Sequence, residues 1–343
     1  MEHLTNSLWA LGAAVIAFVI SAALGRLLIP FLHKLKFGQT ILDIGPDWHK
    51  KKQGTPTMGG IMFIVGIIVS AVVCYLAFVL TGGASVGEEH NAVILGLVMA
   101  VLYGLIGFID DYIKVVKKRN LGLTAIQKLV LQFAVAIAYL LGMTFLKGDT
   151  TPTATIIPFL GPVDLGWLYY VIAAIVIVGV VNATNLTDGI DGLDGSITFF
   201  AAVIMLILST LFANMGGIIT SAALAGGCLG FLVWNFHPAK VFMGDTGSLF
   251  LGGIVCAILF ALNVPILVVL VGMMYIIEMF SVILQVGCFK LTHGKRLFKM
   301  SPIHHHFEMS GWSEVKIVCV FSAVTALFGI GAILLAIFGI IKL

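Results

Sequence analysis

Charged residues are scarce in this sequence. Asp, Glu, Lys and Arg make up 10% of its 343 residues, whereas 60% are hydrophobic. A soluble domain of ordinary composition has about 25% charged residues, so this chain lacks the polar groups to cover a large surface facing water. The formal net charge is only +3, which gives no strongly basic surface, and we predict no nucleic-acid partner. The composition indicates a protein embedded in a lipid bilayer.

Several motifs of soluble proteins are also lacking. The five cysteines include no CxxC pair, which argues against a disulfide framework or a zinc site and predicts buried thiols. The Walker A, GxGxxG and GxSxG patterns are absent as well. No repeat and no Ser- or Pro-rich linker divides the chain, so we expect residues 1–343 to form a single domain. The cysteines are Cys74, Cys228, Cys256, Cys288 and Cys319.

Long apolar runs take the place of these features. A transmembrane helix needs about 20 apolar residues, and ten runs approach or exceed that length. The predicted fold is therefore an all-α polytopic membrane protein with about ten transmembrane helices. The first run follows a segment without a basic region or cleavage site, so we expect it to stay as a helix. The runs are 8–30, 58–81, 92–109, 129–146, 167–183, 197–213, 217–234, 248–262, 265–286 and 317–340.

Basic residues are unevenly distributed between the loops. Of the 19 Lys and Arg residues, 17 fall in or beside alternate loops, and the other set of loops holds only Lys147 and Lys342. The positive-inside rule places the basic loops in the cytoplasm, so ten spans would put both termini outside. Among the outer loops only 147–166 is long, and we expect a short hairpin or an interfacial segment there.

Acidic residues gather where apolar runs meet the basic side of the predicted membrane. A carboxylate at the bilayer centre costs about 2.5–3.5 kcal/mol on insertion scales, and Glu278 alone falls well inside a run. Three clusters lie at the cytoplasmic boundary, in residues 107–114, 182–196 and 235–248. They predict an active site on the cytoplasmic face that could hold a divalent cation.

Two of these clusters place carboxylates beside basic or aromatic groups. Asp110 and Asp111 end the third run and precede Lys114, which is compatible with a solvated helix end, or with metal ligands or a general base near a bound phosphate. Asp245 precedes the eighth run, where it could cap the helix or bind a cation. Phe242 could pack in the core or stack on a nucleobase, a contact worth about 1–3 kcal/mol in single-stranded nucleic-acid sites.

The remaining polar motifs also leave alternatives open. Asp188, Asp191 and Asp194 each precede a glycine, as in a turn with a helix cap or in a loop that approaches a sugar or phosphate. Histidines 304–306 would point about 100° apart on a helix, so we expect phosphate contacts or proton transfer rather than one shared zinc ion. Lysines 50–52 precede a turn-rich GTPT segment and could bind an anion or only anchor the membrane side.

Five stretches together resemble the polyprenyl-phosphate N-acetylhexosamine-1-phosphate transferase superfamily and, within it, the bacterial phospho-N-acetylmuramoyl-pentapeptide transferases. They run from residue 47 to residue 312 in the family's order. The HHHFE stretch is more similar to the muramoyl-pentapeptide branch than to the branches that use UDP-N-acetylglucosamine. The stretches are DWHKKKQGTPTMGG, GFIDDYIKV, NATNLTDGIDGLDG, NFHPAKVFMGDTGSLFLGG and SPIHHHFEMSGW.

The resemblance implies a reaction of UDP-N-acetylmuramoyl-pentapeptide with undecaprenyl phosphate that forms lipid I and UMP and requires Mg²⁺. It implies a multi-pass homodimer in the bacterial plasma (inner) membrane with a cytoplasmic active site. Asp245 is implied as the magnesium ligand. The residues implied to be catalytic are Asp110, Asp111, Asp245 and His304. The residues implied to bind substrate are Lys114, Lys128, Asn185, Leu186, Asp188, Asp191, Asn235, Phe242, Gln285, His305 and His306.

Three other interpretations compete with this one. A superfamily member that uses UDP-N-acetylglucosamine would share most motifs. A secondary transporter would place ionisable groups near the membrane midplane, where only Glu278 qualifies. A structural scaffold gives no reason for the ordered polar motifs. For the transferase we expect direct attack by the lipid phosphate, with Asp110 accepting a proton, and a two-step path through an aspartyl-phosphate stays open.

Overall fold

The computed structural model describes residues 2–35, 52, 54–82, 88–117, 121–147 and 153–341. Within these ranges, ten helices are long and apolar enough to cross a membrane. The predicted polytopic helical architecture is therefore confirmed. The helices are α1 (Glu2–Lys34), α2 (Gly60–Leu80), α3 (Glu88–Val116), α4 (Ala125–Lys147), α5 (Trp167–Thr187), α6 (Leu193–Leu211), α7 (Met215–Asn235), α8 (Gly244–Ala261), α9 (Val268–Val271), α10 (Met273–Leu291), α11 (Ile303–Glu308) and α12 (Glu314–Leu335).

The ninth apolar run is not one helix, which corrects the prediction for 265–286. A short 3-10 helix at Pro265–Leu267 leads into the four-residue α9, and the spanning helix α10 begins only at Met273. Gly272 separates the two, with φ −96° and ψ 18°. Pro265 stands at the first position of the 3-10 helix, where its missing N–H costs no hydrogen bond. Hydropathy alone could not find this break, because every segment involved is apolar.

The long loop at 147–166 contains a hairpin, which was one of the two expectations for it. Strands β1 (Ala154–Ile157) and β2 (Gly161–Asp164) pair antiparallel. The N–H of Phe159 donates to the carbonyl of Gly339 at 2.6 Å, in the π-helical turn that follows α12. The N–H of Ile156 donates to the carbonyl of Asn263 at 3.2 Å. The hairpin therefore binds the end of α12 and the loop after α8.

Helices α7 and α8 form the centre of the bundle, and small residues let their neighbours approach closely. A Cβ atom added to Gly226 of α7 would clash with the carbonyl of Ala14 in α1. Close approach at glycine is how membrane helices gain packing without a hydrophobic driving force. Helix α7 is accordingly buried along most of its length.

The prediction that all five cysteines are buried is only partly confirmed. Cys74, Cys228 and Cys256 are buried and free, as expected, but Cys288 is only half-buried and Cys319 is exposed on α12. The prediction is wrong for Cys319 because an apolar helix in a bilayer can present such a side chain to lipid instead of to the protein core.

Candidate active site

The two aspartates of α3 and the aspartate of α8 meet because their helices touch at a glycine. A Cβ atom on Gly107 of α3 would clash with the backbone carbonyl of Asp245 in α8. Asp110 and Asp111 lie one turn further along α3, inside the helix and not at its end. Asp245 lies in the first turn of α8 and not before it. Both boundary predictions are corrected, because apolar runs underestimate helices that continue into polar sequence.

Asp110, Asp111 and Asp245 form what we call the helix cluster. One carboxylate oxygen from each lies within 4.8 Å of the others. Two ammonium groups lie among them. Lys114 Nζ is 2.6 Å from Asp110, 2.9 Å from Asp245 and 3.7 Å from Asp111, and Lys128 Nζ is 2.8 Å from Asp245. The structure therefore brings together five of the residues singled out from the sequence.

Backbone and hydroxyl donors fix two of the three carboxylates. Asp111 Oδ2 accepts from the N–H of Thr246 at 2.9 Å and from its hydroxyl at 2.7 Å. Asp110 Oδ1 accepts from the N–H of Leu123 at 2.7 Å, and Gly122 leaves room for that carboxylate. Thr246 and Gly122 escaped the sequence analysis, although Thr246 follows Asp245 directly. These contacts hold the carboxylates in place without neutralising their charge.

Asn185 extends the helix cluster toward α5. Its amide nitrogen donates to Asp245 Oδ1 at 2.9 Å and to the hydroxyl of Ser248 at 2.8 Å, and its oxygen lies 3.5 Å from Lys128 Nζ. Leu186 follows in the last turn of α5 and is partly buried. Within the described residues, the carboxylate of Asp245 thus binds side chains, whereas those of Asp110 and Asp111 also bind backbone amides.

Asp188 lies beside the helix cluster. Shielding from water raises the pKa of Asp188 to about 8, and the carboxylates of Asp245 and Asp111 act in the same direction. The N–H of Gly244 donates to Asp188 and opposes the shift. Asp194 lies apart from this group, in the first turn of α6, where it accepts from the hydroxyl of Thr198 at 3.3 Å.

Asp191, His237 and Glu314 form a second group, which we call the loop cluster. Their ligand atoms also lie within 4.8 Å of one another. Lys52 Nζ lies 2.7 Å from Asp191 and 2.7 Å from Glu314. The anions that this lysine binds are therefore two carboxylates of the protein itself. The N–H of Asp191 donates to Glu314 at 2.9 Å, and the N–H of Ala239 donates to Asp191 at 2.9 Å. Lysines 50 and 51 lie outside the described residues.

Two predicted substrate residues bind the backbone. The side chain of Asn235 accepts from the N–H of Gly192 at 3.1 Å and donates to the carbonyl of Val241 at 2.9 Å. Gln285 accepts from the N–H groups of Leu297 and Phe298 at 3.0 and 2.8 Å. Both side chains therefore hold loops in position.

Phe242 is held through its backbone next to the helix cluster. Its N–H donates to the carbonyl of Pro56, and its carbonyl accepts from the N–H of Gly59, both at 2.8 Å. The ring is partly buried. The GTPTMGG segment thus packs beside the start of α8, which sequence order alone does not reveal.

The three histidines have three different environments, as consecutive positions on a helix require. His304 lies on α11 with its ring fully buried, and its Nδ1 is 3.1 Å from Glu278 in α10. Nδ1 of His305 is 2.6 Å from Glu308. Nδ1 of His306 accepts from the N–H of Lys299 at 3.2 Å. In the part of the chain that the structure describes, His304 makes its polar contact with Glu278 and not with the helix cluster, with which the sequence analysis had grouped it.

The helix cluster fits a hard divalent cation. Its donors are all carboxylate oxygens, the ligands that suit Mg²⁺. Three carboxylates face two ammonium groups, so one formal negative charge is left over. Lys114 Nζ between Asp110 and Asp245 shows that a cation can lie there. The loop cluster suits Mg²⁺ less well, since one of its three groups is an imidazole and Lys52 already bridges the other two.

Comparisons with known proteins identify the family of this chain. The sequence model of a family described as glycosyl transferase family 4 matches residues 92–263, and signature 1 of phospho-N-acetylmuramoyl-pentapeptide-transferase matches residues 52–64. Phospho-N-acetylmuramoyl-pentapeptide-transferases of Bacillus thuringiensis (strain Al Hakam) and Bacillus cereus (strain AH187) are each 47% identical over 319 residues, which is 92% of this chain and 94% of theirs. With this identity across almost its whole length, the chain belongs to the phospho-N-acetylmuramoyl-pentapeptide-transferase family.

Proposed function

We propose that the chain transfers phospho-N-acetylmuramoyl-pentapeptide from its UDP derivative to undecaprenyl phosphate, which yields lipid I and UMP, with Mg²⁺ at the helix cluster. The observation that carries the proposal is the convergence of three carboxylates and two lysines at one end of the membrane helices. Family membership favours the muramoyl-pentapeptide donor over UDP-N-acetylglucosamine and favours an enzyme over a transporter.

Charge repulsion is the first obstacle to this reaction, because an anionic lipid phosphate must attack an anionic diphosphate. Lys114 and Lys128 supply two positive charges beside the carboxylates, and they can bind the diphosphate and the departing UMP. Groups aimed at the charge that develops in the transition state are the main source of catalysis in phosphoryl transfer. A Mg²⁺ ion held by Asp245, with Asp110 and Asp111 beside it, would supply further charge neutralisation.

The bond changes are those of a direct displacement. An oxygen of the lipid phosphate attacks the phosphorus attached to the sugar, and the bond from that phosphorus to UMP breaks. Asp110 accepts the proton if the lipid phosphate arrives as a monoanion. Positioning of the two reactants then supplies much of the remaining rate enhancement.

The donor's nucleoside would lie next to the helix cluster, toward the loop after α5. Asn185, Leu186, Asp188, Asp191 and Phe242 surround that region. Asn235 would border it through the loops that it holds, and Gln285, His305 and His306 would shape the sugar and phosphate side. Support for this placement comes from the contact of Asn185 with Asp245, which joins the proposed nucleoside side to the proposed metal side.

We further propose a cytoplasmic active site in the plasma (inner) membrane, with both termini outside and a homodimeric assembly. The orientation is supported by the lysines at the helix cluster and by the uneven distribution of basic residues over the sequence. The lipid phosphate would then reach the helix cluster from the bilayer surface. This placement suits the first membrane step of peptidoglycan synthesis.

The deciding measurement is release of UMP by purified protein in detergent, given undecaprenyl phosphate and UDP-N-acetylmuramoyl-pentapeptide. Parallel reactions omit the lipid, omit Mg²⁺ or replace the donor with UDP-N-acetylglucosamine. We expect UMP only in the complete reaction with the muramoyl donor. Release of UMP only with UDP-N-acetylglucosamine would overturn the assignment to the muramoyl-pentapeptide branch. No release of UMP from folded protein, together with donor uptake into proteoliposomes, would overturn the assignment as an enzyme.

Stereochemistry at phosphorus separates the two possible routes. A donor made chiral at the sugar-linked phosphorus should give an inverted product if attack is direct. Net retention, or a trapped phosphorylated aspartate, would establish the two-step route through an aspartyl-phosphate instead.

A further inference from the structure

A buried acidic residue within a membrane helix has no role in the reaction described above. Glu278 lies in α10, and its side chain has 0% exposure to solvent. A carboxyl group at such a position is costly in a bilayer, and intramembrane acidic residues are therefore expected to have a specific partner. Its partner is the equally buried imidazole of His304, with Oε2 3.1 Å from Nδ1.

When Glu278 is ionised, this contact determines which nitrogen of His304 carries the proton. A carboxylate can only accept, so the ring donates from Nδ1, and in a neutral imidazole Nε2 is then left with its lone pair. A carboxylate that holds a histidine in one tautomer and one orientation is a common supporting arrangement in active sites. The pair also joins two elements, since His304 lies on the six-residue α11 and Glu278 on α10.

The other nitrogen of His304 is directed at the Asp-Gly loop after α5. A Cβ atom on Gly189 would clash with Nε2, so the ring lies directly against the Gly189 backbone. Among the described residues Nε2 is buried and has no hydrogen-bond partner. Gly189 stands between Asp188, which neighbours the helix cluster, and Asp191, which belongs to the loop cluster. The imidazole of His304 thus packs against the loop that carries both aspartates.

We propose that Glu278 is a positioning residue for the transferase reaction. It holds His304 in the Nδ1-protonated tautomer with Nε2 against Gly189, and through this contact it sets the position of the Asp188–Asp191 loop that receives the sugar nucleotide. In this arrangement His304 acts by packing against the loop and not by contacting the reacting groups. The link to the sugar nucleotide rests on the proposed function, whereas the tautomer does not.

The first test is spectroscopic and needs no activity. Histidine-selective ¹⁵N NMR of the full chain in nanodiscs, with the His304 signal assigned by His304→Gln, should show a protonated Nδ1 and an unprotonated Nε2. In Glu278→Gln, whose amide can donate as well as accept, both tautomers should appear. Ser281→Ala is the matched control, because Ser281 is buried on the same helix and its hydroxyl donates to the backbone carbonyl of Glu278 at 2.6 Å, not to its carboxylate. An Nε2-protonated or doubly protonated His304, or a tautomer unchanged by Glu278→Gln, would overturn the proposal.

The second test is kinetic. Glu278→Gln should raise the KM for the sugar nucleotide about 10-fold, by analogy with the lower end of the loss seen when a partner that orients a metal-ligating histidine is removed. The KM for the lipid phosphate should stay unchanged. Gly189→Ala should raise the same KM, because its Cβ atom displaces the imidazole from the other side. Equal effects on both substrates would overturn the role in loop positioning. If no donor yields UMP, the proposed function fails, and the tautomer measurement still decides the role of Glu278.

Discussion

The helix cluster and the loop cluster contain similar groups but use them differently. In the helix cluster, Asp245 is bound by the amine and amide side chains of Lys114, Lys128 and Asn185, which can move away when another cation or a phosphate arrives. In the loop cluster, Asp191 and Glu314 also accept backbone N–H groups, from Ala239 and from Asp191 itself. Those carboxylates hold chain segments together, as Asp110 and Asp111 also do through the N–H groups of Leu123 and Thr246. The comparison therefore separates Asp245, whose bound side chains can be exchanged, from the backbone-bound carboxylates of both clusters.

The sharpest way to break this comparison is to remove the charge of Asp245. Asp245→Asn should lower the rate of UMP release about 10³-fold, because the residue that contacts both lysines and the proposed cation would lose its charge. Asp164→Asn is the matched control, since Asp164 lies in the hairpin and bonds to Thr153 and Gly166. Near-normal activity of folded Asp245→Asn would contradict the exchangeable site.

Lysines from the two clusters should behave differently when they are neutralised. Lys128→Met should lower kcat about 10²-fold with little loss of stability, since its charge acts on the phosphates. Lys52→Met leaves Asp191 and Glu314 without their shared cation, which should cost about 1–3 kcal/mol of folding free energy. Thermal unfolding and steady-state kinetics on both variants check this, and a stability loss confined to Lys128→Met would reverse our assignment.

The helix cluster should also be sensitive to the packing that builds it. Gly107→Ala places a methyl group where the Asp245 backbone lies, which forces α3 and α8 apart. A displacement of about 1 Å in reacting groups can cost about 10² in rate, and we expect a loss of that size in UMP release. Gly179→Ala, on α5, is the control because nothing lies within 4 Å of its added Cβ atom. Equal effects of the two substitutions would show that helix propensity, not contact, matters.

The last effect is expected in the pH dependence of stability and not in the rate of the reaction. The pKa of Asp188 is about 8 in the folded chain, against about 4 for an unfolded aspartate. The folded state then retains a proton that the unfolded state loses, so stability should fall as pH rises from about 4 to about 8. Asp188→Asn should flatten this slope in thermal unfolding with chelator present. A slope that is unchanged by the substitution would mean that other groups produce it.

Hydropathy and motif spacing predicted much of this molecule, for reasons that particular residues make clear. Each spanning helix needs its own apolar run, so ten runs predicted ten helices. The carboxylates of Asp110, Asp111 and Asp245 were found because acidic residues at the edge of a membrane span are costly and therefore informative.

Contacts between distant segments could not be predicted in the same way. The pairing of Lys52 with Glu314 joins residues that are 262 positions apart, and no periodicity encodes it. Glu278 was noticed as unusual, but its partner His304 lies on a separate short helix. Asn235 and Gln285 matched substrate-binding positions, yet their amides serve loop backbones, a role that only the folded chain reveals.

The contact between Gly107 and the backbone of Asp245 has a mechanical consequence. Two carboxylates belong to one membrane helix and the third to another, so their separation depends on how these helices cross. Helices adjust their tilt to the thickness of the surrounding bilayer. We therefore expect the rate of UMP release in nanodiscs to depend on the acyl-chain length of the lipids. An engineered cross-link between α3 and α8 should weaken that dependence. The thickness of the bilayer would thus affect the rate of the reaction at its surface.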